Sequence, residues 1–149
     1  MKNIHTPEVL NELITRINTL TPNSQRQWGK MDVAQMMAHC SAAIEANLGE
    51  GAGKQGLLGR IFGKMAKKSV VSEEPFKQGL PTDKSFVIIG AKEFQEEKQR
   101  LSTMLSRLSA TAPANLAKNP HPFFGKMTES EWNSLNYKHM DHHLRQFGA

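Results

Sequence analysis

The chain has 149 residues, 38% of them hydrophobic and 7% aromatic, and 19 Lys and Arg against 14 Asp and Glu give a net charge of +5. That length suits one domain over 1–149 with a sizeable core, and a core poor in aromatics leans on Leu, Ile, Met and Ala, which favours helices. No run of about 18 apolar residues exists to span a membrane, the lone Cys40 excludes an internal disulfide, and the positive charge gathers between Lys54 and Lys77 rather than on an aromatic-studded helix face, which speaks against nucleic acid. The start, MKNIHTPEVL, lacks the apolar core of a signal peptide. A reducing, cytoplasmic location is expected.

Thr6-Pro7-Glu8 predicts a first helix: Thr as cap, Pro at the first helical position and an acid in the first turn. Val9, Leu10, Leu13, Ile14, Ile17 and Leu20 follow at three- and four-residue steps, until Thr21-Pro22-Asn23-Ser24 ends the run. Asp32 predicts a second cap, with Gln35 completing a capping box. The stripe Val33, Met36, Met37, Cys40, Ile44 and Leu48 then runs to Gly49. Beside it lies His39, in a strip with Gln35, Ala42, Ala43 and Ala46, where small side chains admit a partner helix. Cys40 faces elsewhere and reads as a small apolar core residue.

Residues 49 to about 86 are the least regular part. GEGAGKQG is expected to be a flexible loop. It is not a phosphate loop, because Leu48 stands where the first Gly should and Gln55 where Ser or Thr should hold magnesium. Leu57, Leu58, Ile61, Phe62 and Met65 predict a short amphipathic helix carrying Arg60, Lys64, Lys67 and Lys68. Gly59 and Gly63 interrupt it, which favours a lid over the end of a bundle against a membrane anchor. Glu74-Pro75 and Leu80-Pro81-Thr82 read as turns. A third long helix is expected from Ile88 or Gly90 to Ser109, with Phe94, Glu97, Lys98, Leu101, Met104, Leu105 and Leu108 inward and acids preceding bases. Phe86 to Ile89 is the only β-like run and is short. Thr111 to Gly125 is a Pro- and Ala-rich connection.

The last helix carries the most chemistry. Thr128 and Glu131 form a second capping box ahead of TESEWNSLNYKHMDHHLRQF. Inside it His139 and His143 share one face, which at about 100° per residue also holds Trp132 and is flanked by Leu135, Met140 and Phe147. Two imidazoles one turn apart on a core-facing stripe each need a partner, and a shared metal ion is an economical one. A further ligand is then needed. His5, His121 and His142 are open alternatives, at a chain end, before the last helix and at the edge of its inner face. His39, in mid-helix among small residues, is the choice on geometry. The spacing is not a metalloprotease HExxH, because Met140 follows His139 where the general-base Glu should stand. Four long helices with one lengthy helix 2–helix 3 crossover carrying a short extra helix predict an all-α four-helix bundle.

The set of residues resembles the DinB/YfiT-like superfamily of small four-helix-bundle metalloproteins, whose pattern is one His in the second helix and an HxxxH pair in the last, often followed by Gln. Here these are His39 in AQMMAHC, His139, His143 and Gln146. The resemblance is closer still to a subgroup of unknown function. It rests on WGKM (Trp28 to Met31), MMAHC, HPFFGKMTESEW and YKHMDHHLRQFG; residues 49–86 match only in general character. The resemblance implies zinc, nickel or iron held by the three histidines, and an enzyme using a low-molecular-weight thiol, such as an S-transferase acting on a small molecule. No Arg or Lys cluster marks a particular cofactor. Trp28, His121 and Trp132 are candidate pocket walls, and Gln146 or Asp141 would orient a ligand ring, with Gln146 better placed. Arg60 and Lys64 would meet an anionic substrate. The alternatives are a non-catalytic metal- or partner-binding stress-response bundle, and a metal-free protein whose 57–68 segment lies on an anionic surface. The expected partner is a small-molecule ligand, without nucleic acid or membrane, and a homodimer is compatible with all of these.

Overall fold

Local capping chemistry sets most helix boundaries. In the computed structural model, which describes residues 1–50, 57–80, 82 and 84–149, α1 (Pro7–Thr19) starts where the Thr6 hydroxyl accepts from the Val9 amide. For α2 (Val33–Asn47), the Gln35 amide donates to Asp32 Oδ1 at 2.8 Å and the Asp32 amide to Gln35 Oε1 at 3.0 Å, the expected capping box. Gly49, at φ +85°, then takes the chain out of the helix. The helix α3 covers Leu57–Val71, and a single 3-10 turn covers Lys84–Phe86. Next, α4 (Phe94–Ala110) begins four residues or more beyond the expected Ile88 or Gly90. Gly90 at φ +80° breaks helical continuity, and the Glu93 carboxylate accepts from the Glu96 amide to cap a later start. A four-residue helix, α5 (Pro113–Leu116), interrupts the connection. Finally, α6 (Glu129–Gln146) opens with the reciprocal Thr128–Glu131 box.

The architecture is all-helical, with six helices and no strand among the described residues. A lone antiparallel bridge joins His121 to Gly125. Helix α4 packs on α1 and α2, and α6 packs on α1, α2, α3 and α5. The core between them is built from Leu13 and Ile17 of α1, Met36, Met37, Cys40 and Ile44 of α2, Leu101, Leu105 and Leu108 of α4, and Trp132, Met140 and Leu144 of α6. Burying each of the Leu and Ile side chains contributes roughly 1.5–3 kcal/mol. No helix among the described residues is long and apolar enough to cross a membrane.

Helix α3 departs from its expected form. It has 15 residues, as many as α2, so it is not a short extra helix. It runs through Gly59 and Gly63 without a break, and the two glycines are buried. A Cβ on either would collide with the Phe123 carbonyl oxygen, so the glycines form the contact face, one turn apart. Of the expected apolar face, Ile61 and Met65 are 60% and 67% exposed, while Val70 joins the core. Two polar anchors fix α3 to α6 and the segment before it. Lys67 pairs with Glu131 at 2.7 Å and donates to the Lys126 carbonyl. From α6, the buried Lys138 donates to the Ser69 and Ser72 carbonyls at the end of α3 and lies 4.8 Å from the Phe76 ring. Residues 51–56 of the expected loop, Pro81, and the side chains of Leu57, Leu58, Arg60, Phe62 and Lys64 lie outside the described residues.

Candidate metal centre

Helices α2 and α6 bring three imidazoles together. One ligand nitrogen from each of His39, His139 and His143 lies within 4.8 Å of the others. His39 Nε2 and His139 Nε2 are 3.1 Å apart. Three nitrogens around a tetrahedral ion at about 2.0–2.1 Å stand about 3.3 Å apart; the His39–His139 pair is at that spacing, and the wider separations, up to 4.8 Å, would close on an ion by small ring rotations. His39 and His143 are buried, and His139 is half-buried. His5 and His142 are not part of this group. His5 Nδ1 lies 3.2 Å from the Ser109 carbonyl oxygen, and the His142 ring, though 5.1 Å from that of His143, also packs against the Trp28 and Phe76 rings.

Hydrogen bonds fix which nitrogen of each ring is free. His39 Nδ1 lies 2.9 Å from the Phe86 carbonyl oxygen, which only accepts, so Nδ1 carries the proton and Nε2 the lone pair. The 3-10 turn that ends the crossover therefore orients a ligand. His143 Nδ1 lies 2.9 Å from Gln146 Oε1, while Gln146 Nε2 donates to the Trp28 carbonyl at 2.8 Å. That second bond sets the amide orientation, leaves Oε1 to accept from His143 Nδ1–H, and frees His143 Nε2. Gly29, at φ +83°, permits this arrangement, because a Cβ there would come within 2.5 Å of the Gln146 amide nitrogen. The WGKM stretch thus acts through backbone, at Trp28 and Gly29. With its lone pair on Nε2, His39 accepts from His139 Nε2–H, and convergence of all three lone pairs on one ion would place the His139 proton on Nδ1. Asp141 is not among these partners; it pairs with Arg16 of α1 at 2.9 Å and with Arg145.

The other two expected pocket residues form a pair of their own. His121 Nδ1 accepts from the Phe123 and Phe124 amides at 3.0 and 3.2 Å, and its ring lies 5.5 Å from that of Trp132. The indole nitrogens of Trp28 and Trp132 are both buried without a partner among the described residues. The sequence reading missed Phe86 and Lys138. The first acts through its carbonyl, which leaves no side-chain signal. The second is a lysine whose place in the helical pattern does not set it apart from a solvated cation.

Burial keeps these rings neutral, which is the ligand form. It lowers His39, takes His143 down to about 3 and His121 to about 4, and takes His139 well below the usual range, with the neighbouring histidines adding to the effect. An unfolded imidazole takes a proton near pH 6.5, whereas folded His121 and His143 resist it until about 4 and about 3. Across that window the unfolded state binds more protons, so stability is full above 6.5 and falls as the pH is lowered. The slope is at most about 1.4 kcal/mol per pH unit for each histidine. The urea midpoint of metal-free protein should therefore drop between pH 7 and 5, above the carboxylate range. A flat midpoint there would mean that the rings are hydrated.

An all-helical protein with three neutral, convergent histidines is the class that fold and site define. A family model described as "Protein of unknown function (DUF1569)" matches residues 3–149, and the chain belongs to that family. No curated protein and no solved structure matches it.

Proposed function

We propose that the chain is a divalent-metal protein of the DinB/YfiT-like kind, with α1, α2, α4 and α6 as its four-helix bundle and α3 as an addition packed on α6. His39, His139 and His143 hold zinc, nickel or iron, and the protein acts as a metal-dependent thiol S-transferase or a related enzyme on a small molecule. The observation that carries this reading is the pair of Nδ1 protons tied to oxygen acceptors, Phe86 O and Gln146 Oε1, which leaves His39 Nε2 and His143 Nε2 as lone pairs beside His139. Buried imidazoles need such partners in any core; what favours a metal is that both bonds fall on Nδ1 and leave the Nε2 lone pairs beside a third histidine.

A divalent ion, when bound, supplies acidity: it lowers the pKa of a thiol or water ligand and so provides a nucleophile near neutral pH. The chain's own residues contribute position and charge. Three neutral imidazoles leave the ion's charge uncompensated, and no carboxylate joins their cluster among the described residues. An anionic ligand such as a thiolate is therefore favoured, and general-base hydrolysis by a protein carboxylate is not. Elemental analysis of protein purified without a His tag tests the reading. Close to one zinc, nickel or iron per chain is expected, and a content below about a tenth of that, after equilibration with each ion, would overturn it.

A further inference from the structure

His121 is held in the opposite tautomer to His39 and His143. Its Nδ1 accepts two backbone amide protons, from Phe123 at 3.0 Å and Phe124 at 3.2 Å. A backbone N–H only donates, so Nδ1 carries no proton and the ring must carry it on Nε2. The turn that presents these amides is closed by reciprocal backbone bonds between His121 and Gly125, at 2.8 and 2.9 Å. The ring is also packed against Phe124 and Trp132. His121 is thus a pre-set donor through Nε2 and not a further ligand.

A second donor stands beside it. Trp132 is 1% exposed and its indole N–H has no partner among the described residues. A buried donor without an acceptor is costly, and a ligand acceptor removes the cost. Trp132 precedes His139 by seven residues on α6, two turns along the same face. The nearest acid on the ligand-bearing helix, Asp141, is already committed to Arg16 and Arg145.

We infer that His121 Nε2–H and Trp132 Nε1–H form a donor pair that binds an oxygen anion, such as a carboxylate, on the small molecule that occupies the histidine triad. This rests on the reading that the triad holds an ion. It makes the ligand an oxyanion-bearing molecule rather than a simple thiol, and it makes His121 and Trp132 determinants of specificity.

The test uses full-length protein loaded with Co(II), with acetate and ethanethiol as probes followed by the visible spectrum. In His121→Asn the amide oxygen can replace Nδ1 as acceptor for the turn, but no distal donor remains. In Trp132→Phe the ring stays and the N–H goes. Each substitution should weaken acetate binding by about tenfold and leave ethanethiol within about twofold of wild type. Metal-loaded variants that bind acetate as tightly as wild type would overturn the donor pair alone. A wild-type protein that takes up no cobalt would sink the metal reading, and this inference with it. In metal-free protein, ¹⁵N shifts should show the His121 proton on Nε2, and a proton on Nδ1 would also overturn the assignment.

Discussion

Replacing His139 by alanine is expected to strip the metal from the protein while leaving its helices in place. The three ligands are not equivalent as targets. Removing His39 leaves the Phe86 carbonyl without its donor, and removing His143 leaves Gln146 Oε1 unmatched next to the Trp28 contact. Either change mixes a structural cost with a ligand loss. His139 is half-buried, and among the described residues its one hydrogen-bond partner is His39 Nε2, itself a ligand, so no orienting carbonyl or amide is left unmatched by its removal. Alanine is also the better helix former, by roughly half a kcal/mol. The fold should thus be nearly indifferent to the change, whereas a three-ligand site becomes a two-ligand one. Loss of a ligand's supporting partner typically costs 10–100-fold in affinity, and loss of the ligand itself should cost more. Bound metal, measured by elemental analysis after dialysis, should fall below about a tenth of the wild-type content, with an unchanged far-UV circular dichroism spectrum. Full metal content in His139→Ala would sink the assignment of the triad.

What the sequence reveals about this site depends on how local each interaction is. The caps at Thr6, Asp32 and Thr128 involve residues three apart and are legible directly, as is the spacing of His139 and His143 on one face. His39 meets His139 across 100 positions of chain. It is legible only indirectly, through the small residues that let α2 approach a partner. The orienting acceptors at Phe86 and Trp28 are backbone carbonyls, which no residue type announces. The expected start of α4, at Ile88 or Gly90, is too early. Val87 and Ile89 are in fact exposed, and the turn at Gly90 intervenes. Lys138 reads as a solvated cation until the end of α3 is seen against the middle of α6, where it meets the carbonyls that close α3.

The face of α3 is the clearest case of propensity and packing pointing opposite ways, and a substitution decides between them. By helix propensity, changing Gly63 to Ala should stabilise an exposed helix by about 1 kcal/mol. In this protein the added Cβ would meet the Phe123 carbonyl oxygen and lie 3.4 Å from the Phe124 Cα. These are backbone atoms of a turn pinned by the His121–Gly125 bridge, so they cannot swing aside as a flexible side chain would. Overpacking of this kind typically costs 1–3 kcal/mol, which outweighs the propensity gain. The double change Gly59→Ala with Gly63→Ala puts a second Cβ against the same carbonyl and should cost more than either alone. Amide exchange should accelerate across α3, and limited proteolysis should cut within it, because Lys67 and Lys138 are then its remaining polar anchors. Metal content should persist, since His39 belongs to α2 and His139 and His143 to α6. A double variant more stable than wild type, with α3 still protected, would show that α3 is not packed through its glycine face.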